Sequence, residues 1–449
     1  MNNQQTGGKP LPSFTILSTI AVMVGVVVGI GIFRLPSIVA QSAGSPVDFL
    51  LFWVFGGLIS LFGALCYAEI AAANPNAGGE YHFLHKGYGS SIAFLFSWGR
   101  MTVIQTGSIG LAAFILGDYA SLILDLGPYS SAIYAAITVI LLTAINILGT
   151  GYSRSAQNTV TIFILGSLVI LAIIGSLNNG GTSFTVADSF TTPQSGFGGA
   201  MIFVLLTYGG WNEAVYLSAE LKDVRKNMST VLIGGIGIIT TVYVAVNFAY
   251  INVLGLEGVQ NSDAIGVTLV DTVFGGSSSL VMVLIVIFAA LSTANATIIT
   301  GARTNYALGR DFGVLKYLGR WNAERNAPQN ALLVQGVITL LLIFLGAFTK
   351  EAVSTMVDYT APVFWLFLLL TTSTIFIFRS SSDSYPEALP YKVPFYPVTP
   401  ILFLIACGYM LYSSISFTGM GAIFGIAILL VGVPVLVLNH KKFSNSYPD

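Results

Sequence analysis

The sequence predicts an all-α membrane protein with twelve transmembrane helices, in which helices 1–5 and 6–10 form two inverted repeats. Three observations support this fold class. Of the 449 residues, 55% are apolar and 8% are charged, whereas a soluble domain carries roughly 25% charged residues. Twelve apolar stretches have about the length of ~20 residues that one bilayer crossing requires. Two of these stretches, the first and the sixth, are interrupted by closely spaced glycines.

The predicted spans alternate with polar segments, and their order defines the organisation of the chain. We divide it into an N-terminal tail (1–13), a first repeat (14–177), a second repeat (197–378), an accessory helix pair (399–438) and a C-terminal tail (439–449). The twelve predicted spans are 14–41, 48–72, 90–117, 129–149, 157–177, 197–219, 228–254, 278–303, 329–347, 352–378, 399–416 and 419–438, and a short helix or a packed loop is expected within 262–274.

The basic residues are distributed asymmetrically between the two sets of loops. Of the 18 lysines and arginines, 14 lie in the tails and in loops on the N-terminal side, whereas the opposite loops hold Lys350. Because cytoplasmic loops of membrane proteins are enriched in Lys and Arg, both termini are predicted to be cytoplasmic, in a multi-pass protein of the cell inner (plasma) membrane. Each repeat has an odd number of helices, so the second is predicted to be inverted.

The composition disfavours several classes of function. No basic face recurs, so no nucleic-acid partner is expected. Cys66 and Cys407 lie inside apolar stretches and are expected to be buried side chains, so no disulfide-linked partner is expected. The three histidines lack companion ligands, and we therefore predict no metal, no cofactor and no enzyme active site.

The glycine interruptions are Gly29-Ile30-Gly31 in the first span and Gly209-Gly210 in the sixth. A membrane helix can open only where its freed backbone groups face a ligand, a cavity or protein, and paired breaks in corresponding halves indicate the substrate site of a transporter. Amides at the start of the outer half-helix favour a carboxylate, and carbonyls at the end of the inner half-helix favour an ammonium. One broken helix can therefore bind both ends of an amino acid. Close packing through small residues is the alternative.

Four regions of the sequence carry a family resemblance. They read Gly-Ile-Gly-Ile-Phe at 29–33, Tyr-Ala-Glu-Ile at 67–70 with Asn-Pro-Asn-Ala-Gly-Gly-Glu-Tyr at 74–81, Tyr-Gly-Gly-Trp-Asn at 208–212, and Asn-Ala-Thr at 295–297 with Ala-Leu-Gly-Arg-Asp at 307–311. Together they resemble the amino acid–polyamine–organocation (APC) superfamily, and in particular its L-amino acid transporter (LAT) branch. The resemblance spans the first ten helices and implies a LeuT-like, five-plus-five inverted-repeat fold with broken helices 1 and 6.

The resemblance also implies which residues bind substrate. The backbone of Val27, Ile30 and Gly31 would hold the substrate carboxylate and part of the amine, and the carbonyls of Leu206 and Gly209 would complete the amine site. The family often has serine at the Ile30 position and an aromatic residue at the Leu206 position, which argues against assuming large aromatic substrates.

Three further side chains near the breaks have open roles. Tyr208 or Trp211 either forms a lid over the substrate or packs the helix bundle. Gln105, in the third span, either faces the substrate side chain or has a polar packing role.

Two charged residues fall deep inside predicted spans, where an unpaired charge is costly. Arg100 lies about 15 Å into the third span, at 1.5 Å per residue, and Glu213 directly follows the second glycine break. We predict that they pair below the substrate. The pair either fixes helix 3 against helix 6 or lets Glu213 take a proton.

Three modes of ion coupling remain open from sequence. Many members of the superfamily have a lysine in the fifth helix, and here the aligned position is Ile164. The adjacent hydroxyls of Ser292 and Thr293 in the eighth span offer possible sodium ligands, although such groups more often bond their own backbone. Glu213 would serve proton coupling, and obligatory exchange needs neither.

The sequence as a whole favours a secondary active transporter of small or medium neutral L-amino acids that works by alternating access, as an exchanger. The alternatives are a proton- or sodium-coupled amino acid symporter and an antiporter of polyamines or cationic amino acids. A non-transporting amino acid sensor is an alternative of another class. The expected partners are the amino acid and the lipid bilayer.

Overall fold

The chain is almost entirely helical in the computed structural model, which describes residues 15–76, 78–148, 154–178, 196–218, 221–275, 279–322, 324–325, 327–380, 391–416 and 420–443. The helices are α1 (Ile16–Val27), α2 (Leu35–Ala40), α3 (Pro46–Ala73), α4 (Gly79–Tyr88), α5 (Ser90–Gly99), α6 (Gln105–Ser121), α7 (Ser130–Ile147), α8 (Arg154–Leu177), α9 (Phe197–Tyr208), α10 (Val224–Gln260), α11 (Ile265–Phe274), α12 (Ser279–Asp311), α13 (Gln329–Gly346), α14 (Ala352–Ser380), α15 (Val398–Ser416) and α16 (Met420–Phe443).

Nine helices among the described residues are long and apolar enough to cross a membrane. One of them runs continuously over Ser90–Ser121, because a π-helical turn at Arg100–Ile104 joins α5 to α6. Shorter apolar helices cover Ile16–Val27, Ile162–Leu177 and Ile265–Phe274. The last of these is α11, so the expectation of a short helix within 262–274 is confirmed.

Contacts between helix ends define two opposite faces of the bundle. At the face that we call near, Glu69 at the end of α3 accepts hydrogen bonds of 2.6 Å from Arg379 at the end of α14. At the face that we call far, the Gln260 amide at the end of α10 donates to the Ala40 carbonyl at 2.9 Å. The chain therefore runs from the near to the far face through α1 and α2, and it returns through α3.

Glycines on α3 let α9 and α10 pack closely against it. A Cβ atom at Gly56 would lie 2.4 Å from Val204, and one at Gly57 would lie 2.5 Å from Thr240. Interiors packed this closely transmit strain and have few voids. These two contacts with α3 fix the positions of α9 and α10 relative to each other. Helix α9 leads into the second helix break.

Candidate functional site

The first helix is interrupted at Val28 and Gly29. Helix α1 ends at Val27, Gly29 has an extended backbone (φ −108°, ψ −150°), and a 3₁₀ segment, Ile30–Phe33, precedes α2. The first amides of a helical segment have no carbonyl within that segment to bond, and this applies to Ile30 and Gly31. A Cβ atom at Gly29 would lie 3.3 Å from Thr293 Oγ1, so α12 packs directly against the break.

The second interruption follows α9. Gly209 is extended (φ −57°, ψ 155°), Gly210 is left-handed (φ 101°, ψ −13°), and a 3₁₀ segment, Trp211–Leu217, follows. Glycine adopts a positive φ without the steric conflict of other residues. A Cβ atom at Gly210 would also lie 3.1 Å from Val26 Cγ1. This position therefore requires glycine both for the turn and for the close approach of α1.

A buried tyrosine on α10 joins the two breaks. The Tyr243 hydroxyl lies 2.9 Å from the Val27 carbonyl and 3.1 Å from the Thr207 carbonyl, and it donates its hydrogen toward both. These carbonyls belong to the last turns of α1 and α9, where helix carbonyls lose their intrahelical partners. Tyr243 was not predicted as a functional residue, because a tyrosine inside an apolar span resembles an ordinary core residue.

A cavity of about 360 Å³ lies between the two breaks. Its wall combines the two interrupted segments with α6, α12, α14 and the start of α4. Of the predicted site residues, the cavity lining contains Val27, Gly29, Ile30, Gly31, Arg100, Gln105, Leu206, Gly209, Glu213 and Thr293. Of the remaining predicted residues, Tyr208, Trp211 and Ser292 are not among the described residues that line it.

Tyr208 and Trp211 pack the bundle. The Tyr208 hydroxyl donates to the Trp53 carbonyl on α3 at 2.9 Å, and the Trp211 ring meets the Tyr67 ring edge-on with their centroids 5.0 Å apart. Both side chains are buried. Of the two roles left open for them, this arrangement supports packing and not a lid, because large aromatic side chains gain most from burial against neighbouring rings.

The polar groups that line the cavity are mostly hydroxyls whose hydrogens are already engaged. Five of them each donate to the carbonyl four residues earlier in the same helix, as hydroxyls inside helices commonly do. They can then act only as acceptors toward the cavity. The five are Ser108, Thr207, Thr297, Thr300 and Thr360.

Gln105 differs from these hydroxyls. It is 5% exposed and lines the cavity, and no protein group in the described part of the chain forms a hydrogen bond with its side-chain amide. A carboxamide offers two donor hydrogens and an acceptor oxygen. Gln105 is therefore equipped to bind a polar group inside the cavity.

The predicted ion pair is present at the near-side end of the cavity. Arg100 Nη2 donates to Glu213 Oε1 at 2.8 Å and to Glu213 Oε2 at 2.9 Å, and the guanidinium carbon lies 4.9 Å from the centre of the Tyr216 ring. Arg100 occupies the π-helical turn between α5 and α6, and π-turns occur frequently at functional sites. The pair joins this turn to the 3₁₀ segment after the second break.

A second carboxylate, which sequence analysis did not single out, completes this cluster. Glu80 Oε2 lies 3.8 Å from Arg100 Nη1. Tyr67 and Asn212 donate to Glu80 Oε1 at 2.8 Å and 3.1 Å, and Tyr216 donates to Oε2 at 3.2 Å. Burial raises the pKa of the Glu80 carboxyl, and the Arg100 charge opposes this. Glu80 lies in a segment assigned to a cytoplasmic loop, and its only signal was its place in the Gly-Gly-Glu-Tyr motif.

Several contacts surround the segment after the first break, on the far-face side of the cavity. Arg34 Nη1 lies 3.0 Å from Asp263 and Arg34 Nη2 lies 3.5 Å from Glu351. The Tyr119 hydroxyl donates to the Phe33 carbonyl at 2.8 Å. The cavity lining includes Leu217, Thr300 and Leu368 toward the near face, whereas Phe33, Arg34 and Tyr119 are not among the described residues that line it.

Comparison with known proteins identifies relatives along nearly the whole chain. The family profile described as "Amino acid permease" matches residues 14–437. The b(0,+)-type amino acid transporter 1 of Mus musculus is 30% identical over 400 residues, which cover 86% of this chain and 80% of that protein. The serine/threonine exchanger SteT of Bacillus subtilis (strain 168) is 25% identical over a match that covers 95% of this chain and 96% of that protein. The large neutral amino acids transporter small subunit 2 of Mus musculus is 27% identical over a match that covers 94% of this chain and 80% of that protein.

Proposed function

This chain belongs to the amino acid permease family and is a membrane transporter of amino acids, not an enzyme, and we propose that it exchanges small or medium neutral L-amino acids by alternating access. The observation that carries the proposal is the cavity of about 360 Å³ between two interrupted helices. That volume lies at the low end of the ~300–1,000 Å³ range of small-molecule sites, which suits a ligand of amino acid size.

The breaks supply complementary groups for the two ends of an amino acid. In the proposed site, the amides of Ile30 and Gly31 bind the carboxylate, because amides at the start of a helical segment favour negative charge. The carbonyls of Val27, Leu206 and Gly209 face the ammonium group. Val27 O already accepts hydrogen bonds from Tyr243 and from the Gly29 amide, so we assign the larger share of the ammonium contact to the α9 side.

We propose that the near face is cytoplasmic and that the helices make twelve crossings. The excess of lysine and arginine in the near-face loops supports this orientation. The first crossing would comprise α1 and α2, the third α5 and α6, and the sixth α9 with the following 3₁₀ segment. The two breaks then fall in the first helix of each five-helix repeat, as inverted-repeat transporters require. The structure would represent an inward-facing state.

The function is tested by uptake of labelled alanine, serine, leucine, glutamate and arginine into proteoliposomes. Uptake of the neutral amino acids only into vesicles preloaded with unlabelled neutral amino acid is expected, and replacing sodium is expected to change nothing. Uptake that requires sodium would instead implicate Ser292 and Thr293. Arginine uptake would support the cationic alternative, and saturable binding without uptake of any of the five would support the sensor.

Gln105 is proposed to select substrates with a polar side chain. One relative is a serine/threonine exchanger, and the unengaged amide of Gln105 can bind a hydroxyl. Gln105→Leu is expected to lower the ratio of serine to alanine uptake, and of threonine to valine uptake, by about tenfold, because a buried hydroxyl would lose its partner. Competition assays in proteoliposomes would measure both ratios.

Ser108→Ala is the matched control for this substitution. Ser108 lies one turn from Gln105 and lines the same cavity, but its hydroxyl donates to the Ile104 carbonyl. We expect Ser108→Ala to leave both ratios within about twofold of the wild type. A Gln105→Leu variant with wild-type ratios would remove Gln105 from the specificity site.

The Arg34 contacts are proposed to hold the far face closed. Arg34 is 9% exposed, but its partners Asp263 and Glu351 are 92% and 62% exposed, so water screens both pairs and each contributes up to about 1 kcal/mol. Arg34→Ala is therefore expected to increase the population open to the far face by about threefold to tenfold. The measurement is the rate at which a cysteine introduced by Ile30→Cys reacts, in intact cells, with a membrane-impermeant thiol reagent.

The native cysteines, Cys66 and Cys407, are both buried and should give little background in this assay. Arg34→Lys keeps the charge and should react at a rate near that of the Ile30→Cys protein alone. Equal rates for the Arg34→Ala and parent proteins would show that these contacts do not control far-face opening.

A further inference from the structure

Two carboxylates share one guanidinium at the near-side end of the cavity. Arg100, Glu80 and Glu213 carry a formal charge of one positive and two negative when all are ionised. Glu213 forms the short contacts with Arg100, at 2.8 Å and 2.9 Å, whereas the nearest approach of Glu80 to Arg100 is 3.8 Å. Arg100 therefore compensates Glu213 first, and Glu80 carries the excess charge.

Glu80 is also the less hydrated of the two carboxylates. Its side chain is 5% exposed, while that of Glu213 is 29% exposed. Water stabilises a carboxylate better than a buried site does, and a buried, uncompensated charge is removed most readily by binding a proton. Burial and the neighbouring Glu213 charge both raise the pKa of Glu80.

Groups on three other elements oppose the rise in the pKa of Glu80 and keep its ionised form accessible. Tyr67 on α3 and Asn212 and Tyr216 on the 3₁₀ segment donate hydrogen bonds to Glu80, and Arg100 lies on the π-turn. Hydrogen bonds to a carboxylate lower its pKa. Two of the three donors belong to the 3₁₀ segment after the second break, so the protonation of Glu80 is sensitive to the position of that segment.

We propose that Glu80 binds one proton and releases it in each transport cycle, which couples amino acid exchange to a pH gradient. This inference rests on the proposed function. A proton from the bulk medium passes through water in the cavity to Glu80 Oε2 and forms a neutral carboxylic acid, which leaves the cluster with one positive and one negative charge.

The direction of proton movement follows from the hydrogen bonds. In this near-open arrangement all three donors are in place and favour the carboxylate, so the proton is released toward the near face. Glu213 lies on the same segment and holds Arg100 by the two short hydrogen bonds. When the 3₁₀ segment moves to open the far face, Asn212, Tyr216 and the Arg100–Glu213 pair withdraw together from Glu80. Glu80 then loses two donors and the guanidinium while it stays buried, which raises its affinity for a proton. The proton is thus loaded at the far face, together with the amino acid, and moves in the same direction.

The test uses proteoliposomes that contain unlabelled serine and an internal pH-sensitive dye. With the lumen more alkaline than the medium, we expect the initial rate of labelled serine uptake by the wild type to rise severalfold. A protonophore should cancel this increase. The dye should report acidification of the lumen during uptake. For Glu80→Gln, the ratio of rates with and without the gradient should fall to one. Asp271→Asn, which changes an exposed carboxylate on α11, should keep the wild-type ratio.

Three outcomes would contradict the inference, and they differ in what they say about the proposed function. Wild-type uptake that ignores the gradient would overturn the proton site but leave exchange intact. A Glu80→Gln protein that keeps the gradient stimulation would do the same. No uptake of serine, alanine or leucine under any condition would overturn the proposed function and the inference with it.

Tyr67→Phe provides an independent test if Glu80→Gln does not fold. It removes one donor to Glu80 Oε1 but retains the ring, so the pH midpoint of gradient-free uptake should rise by about one unit. Tyr134→Phe is the matched control, because the Tyr134 hydroxyl on α7 donates to the Leu124 carbonyl at 3.0 Å, away from the cavity lining; its midpoint should equal that of the wild type. Equal midpoints for all three proteins would overturn the assignment of the proton to Glu80.

Discussion

Replacing Arg100 with methionine is expected to abolish exchange and to lower the free energy of unfolding by about 3–5 kcal/mol. The reason is that Glu80 and Glu213 then lose the positive charge that they share in a buried site. Removing one partner of a buried ion pair leaves the other charge without compensation, which costs more than the pair itself contributes. Serine counterflow and thermal unfolding in detergent would measure the two effects.

The double variants separate charge from packing. Arg100→Met with Glu213→Met removes the pair and should recover most of the stability but not the transport, because apolar groups can replace a buried ion pair. Arg100→Glu with Glu213→Arg restores a pair in the reverse sense and should recover more activity than either single change. Arg303→Met, at an exposed arginine on α12, is the control. An Arg100→Met protein as stable as this control would show that the cluster does not depend on Arg100.

The second large effect is expected for Gly210→Ala, which should reduce exchange at least tenfold and destabilise the protein by about 1–2 kcal/mol. Gly210 has φ 101°, and its Cβ atom would lie 3.1 Å from Val26 Cγ1. Alanine would therefore strain the turn and push the 3₁₀ segment away from α1, which displaces one wall of the cavity. Counterflow rates and unfolding midpoints would be compared with those of the wild type.

Gly199→Ala is the matched substitution, in α9, the helix that precedes Gly210. Among the described residues, no atom outside the neighbouring backbone of α9 lies within 4 Å of the position that its Cβ would occupy, and alanine is favoured over glycine in a helix by up to about 1 kcal/mol. This variant should be as stable as the wild type or more stable, and it should exchange amino acids normally. Equal losses in the two variants would mean that the special backbone at Gly210 is not what transport requires.

The sequence was sufficient to locate the helix breaks because their cause is local. Glycines at 29, 31, 209 and 210 weaken the helix wherever they occur, and the structure interrupts α1 and α9 at these positions. The Arg100–Glu213 contact could also be anticipated, because few other charged groups occur at that depth. A charged side chain inside a membrane requires a partner of opposite charge. Because charged residues are scarce in the predicted spans, few partners for Arg100 were possible.

Other features depend on tertiary contacts that no local pattern encodes. Glu80 belongs to a short helix between spans, and only the folded chain brings it to Arg100. Tyr208 and Trp211 flank the second break, which left a lid role open, but their rings face α3 because Trp53 and Tyr67 provide large aromatic surfaces there. The direction in which an aromatic side chain packs therefore depends on the neighbouring helices.

The hydrogen bonds of Tyr243 have a consequence for the kinetics of exchange. Because one hydroxyl holds the ends of both interrupted helices, we expect those ends to move together when the surrounding helices rearrange. The groups that grip the amino acid then keep the same spacing whichever compartment has access. Dissociation constants measured from the two compartments should therefore be nearly equal. Without a pH gradient, a carrier with equal affinities in both directions neither concentrates nor rejects its cargo, and its net flux follows the relative concentrations of the amino acids that compete at each surface. A pH gradient would act through Glu80 and not through these substrate-binding groups.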